Sequence, residues 1–248
     1  MPRFFIRASQ IENIDGADCI RIVGDDAHHI SYSLRMRVGE ELEVCDMQKN
    51  VYSCEISSMD GKEVIAKITG SGKCDTEPPV EIKLYQALAK GDKMETIIQK
   101  AVECGVCEII PFSSERCVVK LDKKDITKKL ERYSRVAEGG AKQSGRGIIP
   151  RVEKILDYKG MLEDASKSDL VLFCYEGDDT VSVKEALRAS KDVKSISVIV
   201  GSEGGFSINE VNIAREAGAK IVGLGKRILR CETAPTFVLS CISYELEL

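Results

Sequence analysis

Apolar positions follow two different rhythms along this chain. Over the first seventy residues they come as short runs rich in branched and aromatic side chains: "RFFIR" (3–7), "EELEVCD" (40–46), "VYSCEIS" (51–57) and "EVIAKIT" (63–69). Runs of that length and composition read as strands. Asp60-Gly61 lies between the last two and signals a hairpin, because both residue types tolerate the positive φ of a tight turn. The stretch "DAHHISYSLRM" (26–36) reads instead as one short helix, with Asp25 or Asp26 as its cap. Together these elements predict a small β-barrel or curled sheet.

"SGKCDTEPP" (71–79) reads as a linker, since its glycine, serine, aspartate and prolines resist regular structure. After it the rhythm changes to strand–helix alternation. The predicted strands are "EIKLYQALA", "CEIIPF", "LVLFCYE", "SISVIV" and "KIVGLG". Helices are predicted near 93–104, 123–140, 158–166, 182–190, 208–217 and 235–247. Repeated alternation implies an α/β unit built on a mainly parallel sheet with helices on both faces. The predicted domains are therefore 1–72 and 73–248.

Several helix ends are written in the sequence. Ser207 and Glu210 form a capping box, with Phe206 and Val211 in the staple positions. Asp92 and Glu95 suggest a similar start for the 93–104 helix, and Gly105 a stop. In the 123–140 helix, Ile126, Leu130, Tyr133 and Ala137 repeat with helical spacing and predict an inward stripe. Lys124, Lys128, Lys129, Arg132 and Arg135 fall largely outside it.

Composition narrows the class. The chain has 248 residues, 43% of them hydrophobic, which suits a globular core. No apolar run approaches the ~18 residues of a membrane helix, and no leader pattern opens the chain. The expectation is a soluble, cytoplasmic protein whose ten cysteines are reduced thiols. Net charge is −4, but residues 116–154 hold twelve Lys/Arg against five Asp/Glu. That basic block is either a solvated helix face or a polyanion site.

Candidate chemistry is sparse outside two loops. Cys104-x-x-Cys107 falls at a helix C-terminus, where the dipole opposes thiolate, and no second ligand pair completes a zinc site. No metal is expected. His28 and His29 are the only histidines and lie far in sequence from the glycine-rich loops, so a histidine base is not expected. "VGSEGGFSINE" (200–210) follows a strand and leads into a helix. It lacks the G-x-G-x-x-G register of a dinucleotide loop and the G-K-[ST] of a P-loop. Glu203 disfavours a pyrophosphate and tolerates a ligand that is neutral or cationic there. "GLGKRILRCETAP" (223–235) follows the next strand, with apolar Ile228 and Leu229 inside the loop, as if to cover something flat. Two strand ends with glycine-rich loops mark the ligand-binding edge of an open parallel sheet.

The chain resembles the RsmE-type 16S ribosomal RNA uridine-N3 methyltransferases of the SPOUT superfamily. The matching stretches are "MPRFF", "HHISYSLRMRVGEE" (28–41), "KGDKMETIIQKAVECGV" (90–106), "SERCVVK" (114–120), "AKQSGR" (141–146), "GSEGGFS" (201–207) and "GLGKRILRCETA" (223–234). They stand in family order over nearly the whole chain. The resemblance implies a PUA-like β-barrel that holds RNA, then a SPOUT domain with a trefoil knot. It implies a homodimer, S-adenosylmethionine as cofactor and 16S ribosomal RNA as partner. The implied cofactor residues are Gly201, Glu203, Gly204, Gly205, Leu224, Gly225, Ile228, Leu229 and Ala234. The implied RNA-side residues are Arg3, Arg116, Gln143, Arg146 and Arg230, and Lys120 and Arg151 of the basic block are further RNA-binding candidates. Ser202, Cys117, Cys231 and Lys142 depart from the commoner proline, serine, threonine and glutamate.

The imide nitrogen of uridine is a poor nucleophile until its proton leaves. An arginine near O2 or O4 would stabilise the developing anion. Arg230, Arg116 and Arg146 are the candidates, and Glu232 or Glu115 is a candidate proton acceptor, unless these carboxylates simply orient the arginines. Two other classes remain: a non-catalytic RNA-binding protein, and a nucleotide-dependent oxidoreductase.

Overall fold

A computed structural model describes residues 1–119, 122–190 and 192–248. The chain folds into two compact units: Met1–Glu77 with Ala141–Ile149 form one, and Pro78–Gly140 with Pro150–Leu248 form the other. The sequence places one boundary at 72/73; in the structure a nine-residue segment from far downstream joins the first unit.

The first unit is a six-stranded sheet of β1 (Arg3–Phe5), β2 (Ile11–Ile14), β3 (Ala17–Val23), β4 (Glu41–Cys45), β5 (Asn50–Met59) and β6 (Glu63–Lys73), in the order β1-β4-β5-β6-β3-β2. All neighbours are antiparallel except β1 and β4. β1 and β2 stand at the two ends of this order. Phe4, Ile20, Leu42, Cys54, Ile56 and Val64 from five strands meet Ala27 and Ile30 in one core. β2 and β3 were not among the predicted strands, although Asp15-Gly16, both at positive φ, makes a two-residue turn between them.

Three further details differ locally. The short helix is a single turn, α1 (Asp25–His28), widening into a π-type turn at His29–Ser33. Its cap is Gly24, and Asp25 and Asp26 sit inside the first turn, where the positive end of the helix favours them. β6 runs four residues past its predicted end, because Asn50–Ser53 of β5 offers a ladder that Gly70 to Lys73 complete.

The second unit is an all-parallel seven-stranded sheet. Its strands are β7 (Glu81–Ala87), β8 (Glu108–Phe112), β9 (Arg151–Val152), β10 (Leu170–Cys174), β11 (Val181–Ser182), β12 (Ser195–Val200) and β13 (Lys220–Gly223), ordered β11-β13-β10-β12-β7-β8-β9. The helices are α2 (Lys93–Glu103), α3 (Lys123–Gln143), α4 (Tyr158–Ala165), α5 (Val183–Arg188), α6 (Ile208–Glu216) and α7 (Thr233–Leu246). Residues of α4 and α6 share one apolar cluster with Tyr85, Ile110, Phe112, Phe173, Ile199 and Ile221. Strand residues of opposite parity, such as Leu84, Leu172 and Val198, are buried on the other face. There α7 packs on α2, α5 and β12. The two-residue edge strands β9 and β11 are too short to carry a period.

On α3, Tyr133 and Ala137 are buried while Ile126 and Leu130 are half-buried, so the inward stripe holds most firmly in its second half. Asp92 stands at the N-cap of α2, but its side chain makes no capping bond, and Glu95 pairs with Arg132 instead. Gly105 ends that helix at φ +94. Among the described residues no helix is long and apolar enough to cross a membrane.

Candidate active site

At the carboxyl ends of β10, β12 and β13 lies a cavity of about 490 Å³, within the range of small-molecule sites. Its walls are three strand-end loops: Tyr175 to Thr180, Gly201 to Phe206, and Gly223 to Cys231. The two glycine-rich loops are consecutive in sequence but not adjacent in the sheet, because β10 lies between β12 and β13. Tyr175, Glu176, Gly177 and Thr180 thereby become a third wall that the sequence does not announce. Strand order across the sheet carries no local signal.

The 201–207 loop is held from below. Phe206 is 2% exposed and packs 4.2 Å from Phe173, ring centre to ring centre. Ser207 and Glu210 form the reciprocal box: Glu210 N–H donates to Ser207 Oγ at 3.2 Å and Ser207 N–H to Glu210 Oε2 at 2.9 Å. The second Glu210 oxygen accepts from the Glu115 N–H at 2.8 Å, so Glu210 is fully used inside the fold. Buried Gln86 donates to the Gly201 carbonyl at 3.1 Å. A Cβ on Gly201 would meet Phe206 and Gly205 at 3.1 to 3.3 Å, so the turn leaves no room for a side chain.

Glu203, whose partner sequence alone left open, ion-pairs with Lys93 at 3.0 Å and accepts the Lys90 N–H at 3.1 Å. Burial pushes its carboxyl up, but its own N–H, Lys93 and Lys90 outweigh that and hold it below the ordinary 4.5. Lys93 also reaches Glu232 at 3.4 Å. The Cys231 thiol donates to Glu232 at 3.2 Å, and with the Glu232 N–H and Lys93 it holds that carboxyl low against burial. Burial and this bond push the Cys231 thiol up to about 12, so it stays protonated. Among the described residues neither candidate acceptor pairs with an arginine; Glu115 takes the Ser207 hydroxyl at 2.6 Å.

The 223–231 loop has the opposite character. Gly225 has φ +97 and nothing within 4 Å of where a Cβ would stand, a space open to a ligand. Ile228 is 81% exposed and Leu229 half-buried. Arg230 is fixed through its backbone, whose carbonyl accepts the Thr233 and Ala234 N–H groups at 2.9 Å. Its guanidinium is exposed and has no protein partner among the described residues. Arg116 is exposed and donates to the Gly204 carbonyl at 3.2 Å. Glycines that allow close approach, an apolar cover and a fixed carboxylate suit a ligand with a flat neutral part and a cationic centre.

The structure therefore brings together Gly201, Glu203, Gly205, Leu224, Gly225, Ile228, Leu229, Arg230 and Ala234 around one cavity, with Gly204 and Arg116 beside it. The other arginines lie elsewhere. Arg146 is buried in a two-bond pair with Glu77 at 2.9 and 2.7 Å, within the first unit. In the same unit, Arg3 pairs with Glu43 at 2.8 Å and donates to the Gly145 carbonyl. Both guanidiniums are spent on anchoring the 141–147 segment. Gln143 is exposed; Arg151 is exposed and pairs with Glu108 at 3.2 Å. Lys120 lies outside the described residues. Burial pushes the Cys104 and Cys107 thiols above the ordinary 9.0, the reverse of a reactive pair.

Comparison with known proteins finds relatives over nearly the whole chain. A family model described as an RNA methyltransferase domain matches residues 76–243, and one described as an RNA methyltransferase PUA domain matches residues 22–69. The ribosomal RNA small subunit methyltransferase E of Bacillus subtilis is 35% identical over 252 residues, covering 100% of this chain and 98% of its own. The protein of that name from Mesomycoplasma hyopneumoniae is 35% identical over 98% of this chain and 99% of its own. The crystal structure of the Neisseria gonorrhoeae enzyme of that name, bound to S-adenosyl methionine, superposes with a TM-score of 0.86 at 30% identity. It covers 99% of this chain and 98% of its own.

Proposed function

The chain belongs to the ribosomal RNA small subunit methyltransferase E family, and on that premise we propose that it methylates N3 of one uridine in the decoding region of 16S ribosomal RNA. S-adenosylmethionine, when bound, supplies an electrophilic methyl group on a sulfonium. The single observation that carries the reading is the cavity at the carboxyl ends of β10, β12 and β13, with exposed Arg230 at its rim. Gly205 and Gly225 let the backbone approach the cofactor while Gly201 keeps the turn tight, Ile228 and Leu229 cover its flat part, and Glu203 keeps an anion near its cationic part. Arg230 stabilises the negative charge that grows on the uracil carbonyls as the N3 proton leaves, as an oxyanion donor does. Arg116, anchored at Gly204, supports the same anion from the other loop. Glu232 is the proposed proton acceptor; it is anionic at neutral pH, and its low pKa makes it a weak base.

The exposed lysines of α3 hold the RNA through its phosphates. A homodimer and a trefoil knot in the last third of the chain belong to the same reading. Phe237 and Tyr244 on α7 are exposed apolar surface for a second copy to cover. The deciding experiment is mass mapping of 16S ribosomal RNA from a strain lacking this gene. One methyl group should vanish from one uridine and return when the gene is restored. A complete methylation pattern in that strain would sink the proposal. Titration of S-adenosylmethionine by calorimetry separates the enzyme from a non-catalytic RNA-binding protein, which would give no heat.

A further inference from the structure

Three strand-end loops converge on one ammonium group. Lys93 opens α2, directly after the loop that follows β7. Its Nζ lies 3.0 Å from Glu203 in the loop after β12 and 3.4 Å from Glu232 at the end of the loop after β13. The Lys90 N–H of its own loop binds the same Glu203 oxygen at 3.1 Å. The Cys231 thiol donates to the same Glu232 oxygen at 3.2 Å, and its sulfur lies 3.8 Å from the Lys93 ammonium. Among the described residues, no other side chain ion-pairs with both glycine-rich loops. The strands beneath those loops are not hydrogen-bonded to each other, since β10 separates them. Sheet pairing therefore leaves the gap between the loop tips to be set by side chains.

We infer that Lys93 is a positioning residue: it clasps the two loops through Glu203 and Glu232 and sets the width of the cofactor cavity. The inference rests on the proposed cofactor reading for its consequence, but not for the clasp itself. Lys93 itself lines the cavity wall. Its loss would free both loops together and leave two carboxylates to repel each other.

Two readouts test this. In the ligand-free protein, Lys93→Met should speed amide hydrogen exchange in both 201–206 and 224–230, with the melting curve and circular dichroism close to wild type. Calorimetry should show S-adenosylmethionine bound roughly three- to tenfold more weakly, the size expected from two partly exposed ion pairs. Lys93→Arg should restore most of both, and Glu203→Gln should loosen 201–206 alone. Unchanged exchange in either loop of Lys93→Met, or wild-type affinity despite faster exchange, would overturn the clasp. If wild-type protein binds no S-adenosylmethionine, the cofactor reading fails, and the exchange data still decide the clasp.

Discussion

Arg146 and Arg230 share a motif-like setting, each beside glycine-rich sequence, and the resemblance gives both a part in handling RNA. Their side chains end in opposite environments. Arg146 is 3% exposed and doubly bonded to Glu77, itself 6% exposed. Arg230 reaches solvent at the cavity rim, and among the described residues its backbone alone is tied down. A buried guanidinium is tolerable only when a carboxylate neutralises it, and breaking such a pair strands a charge away from water. An exposed guanidinium makes no such demand and is available to a ligand. The same residue type therefore holds the fold in one region and faces chemistry in the other.

The sharpest way to break this contrast is to truncate each arginine. Arg146→Ala should cost about 3–5 kcal/mol of stability in denaturant unfolding, because Glu77 is left buried and unpaired. A loss below about 1 kcal/mol would show that the pair does not anchor the 141–147 segment. Arg230→Ala should leave stability within about 0.5 kcal/mol of wild type. Its kcat should fall on the order of 10² to 10³-fold while S-adenosylmethionine affinity holds, the effect of removing one oxyanion donor. Full activity in that variant would remove Arg230 from the mechanism.

Acid titration probes the same pair without mutation. Burial pushes the Glu77 carboxyl up, but Arg146 and the Gly147 N–H outweigh it and lower it from the ordinary 4.5. A carboxyl lowered by folding contributes its full stability above the unfolded value. That contribution should be complete at neutral pH and fade as pH falls from about 4.5 through the lowered value. A Glu77→Gln variant, already without it, should show a shallower acid slope in the same unfolding series.

Smaller effects sharpen the division further. Lys128→Ala on the exposed face of α3 should reduce the slope of log affinity against log salt by about 0.7–0.9, one phosphate contact's worth. Arg146→Lys, if the pair is internal, should leave that slope alone. Ile228→Ser should change stability by no more than about 0.5 kcal/mol, since the side chain is already in water. It should weaken cofactor binding, and unchanged affinity would mean that Ile228 covers nothing.

Much of the second unit was legible because its signals are local. "SISVIV" reads as a strand from its β-branched run and is one, Ser195–Val200. Ser207 and Glu210 read as a capping box and bond reciprocally. The first unit was less legible. "IENI" and "ADCIRIV" carry charged residues among the apolar ones and do not stand out as strands, although Asp15-Gly16 marks their turn as plainly as Asp60-Gly61 marks the next. The candidate site was legible where glycines and exposed apolar residues break the strand–helix pattern. Lys93 was not, because nothing within a few residues of it distinguishes a clasp from any other lysine on a helix.

The sequence by itself determined most strands and helices of the second unit, which of their faces are apolar, and which loops are freed by glycine. Periodicity, caps and turns are settled by neighbours a few residues away. Only the tertiary structure decided that β10 lies between β12 and β13 and so brings Tyr175 to Thr180 into the cavity. It alone paired Lys93 with Glu203 and Glu232, and Arg146 with Glu77. Those partners lie about 70 to 140 residues apart, and the choice among many lysines and carboxylates depends on which loops the sheet brings together and how far burial strips water from each charge.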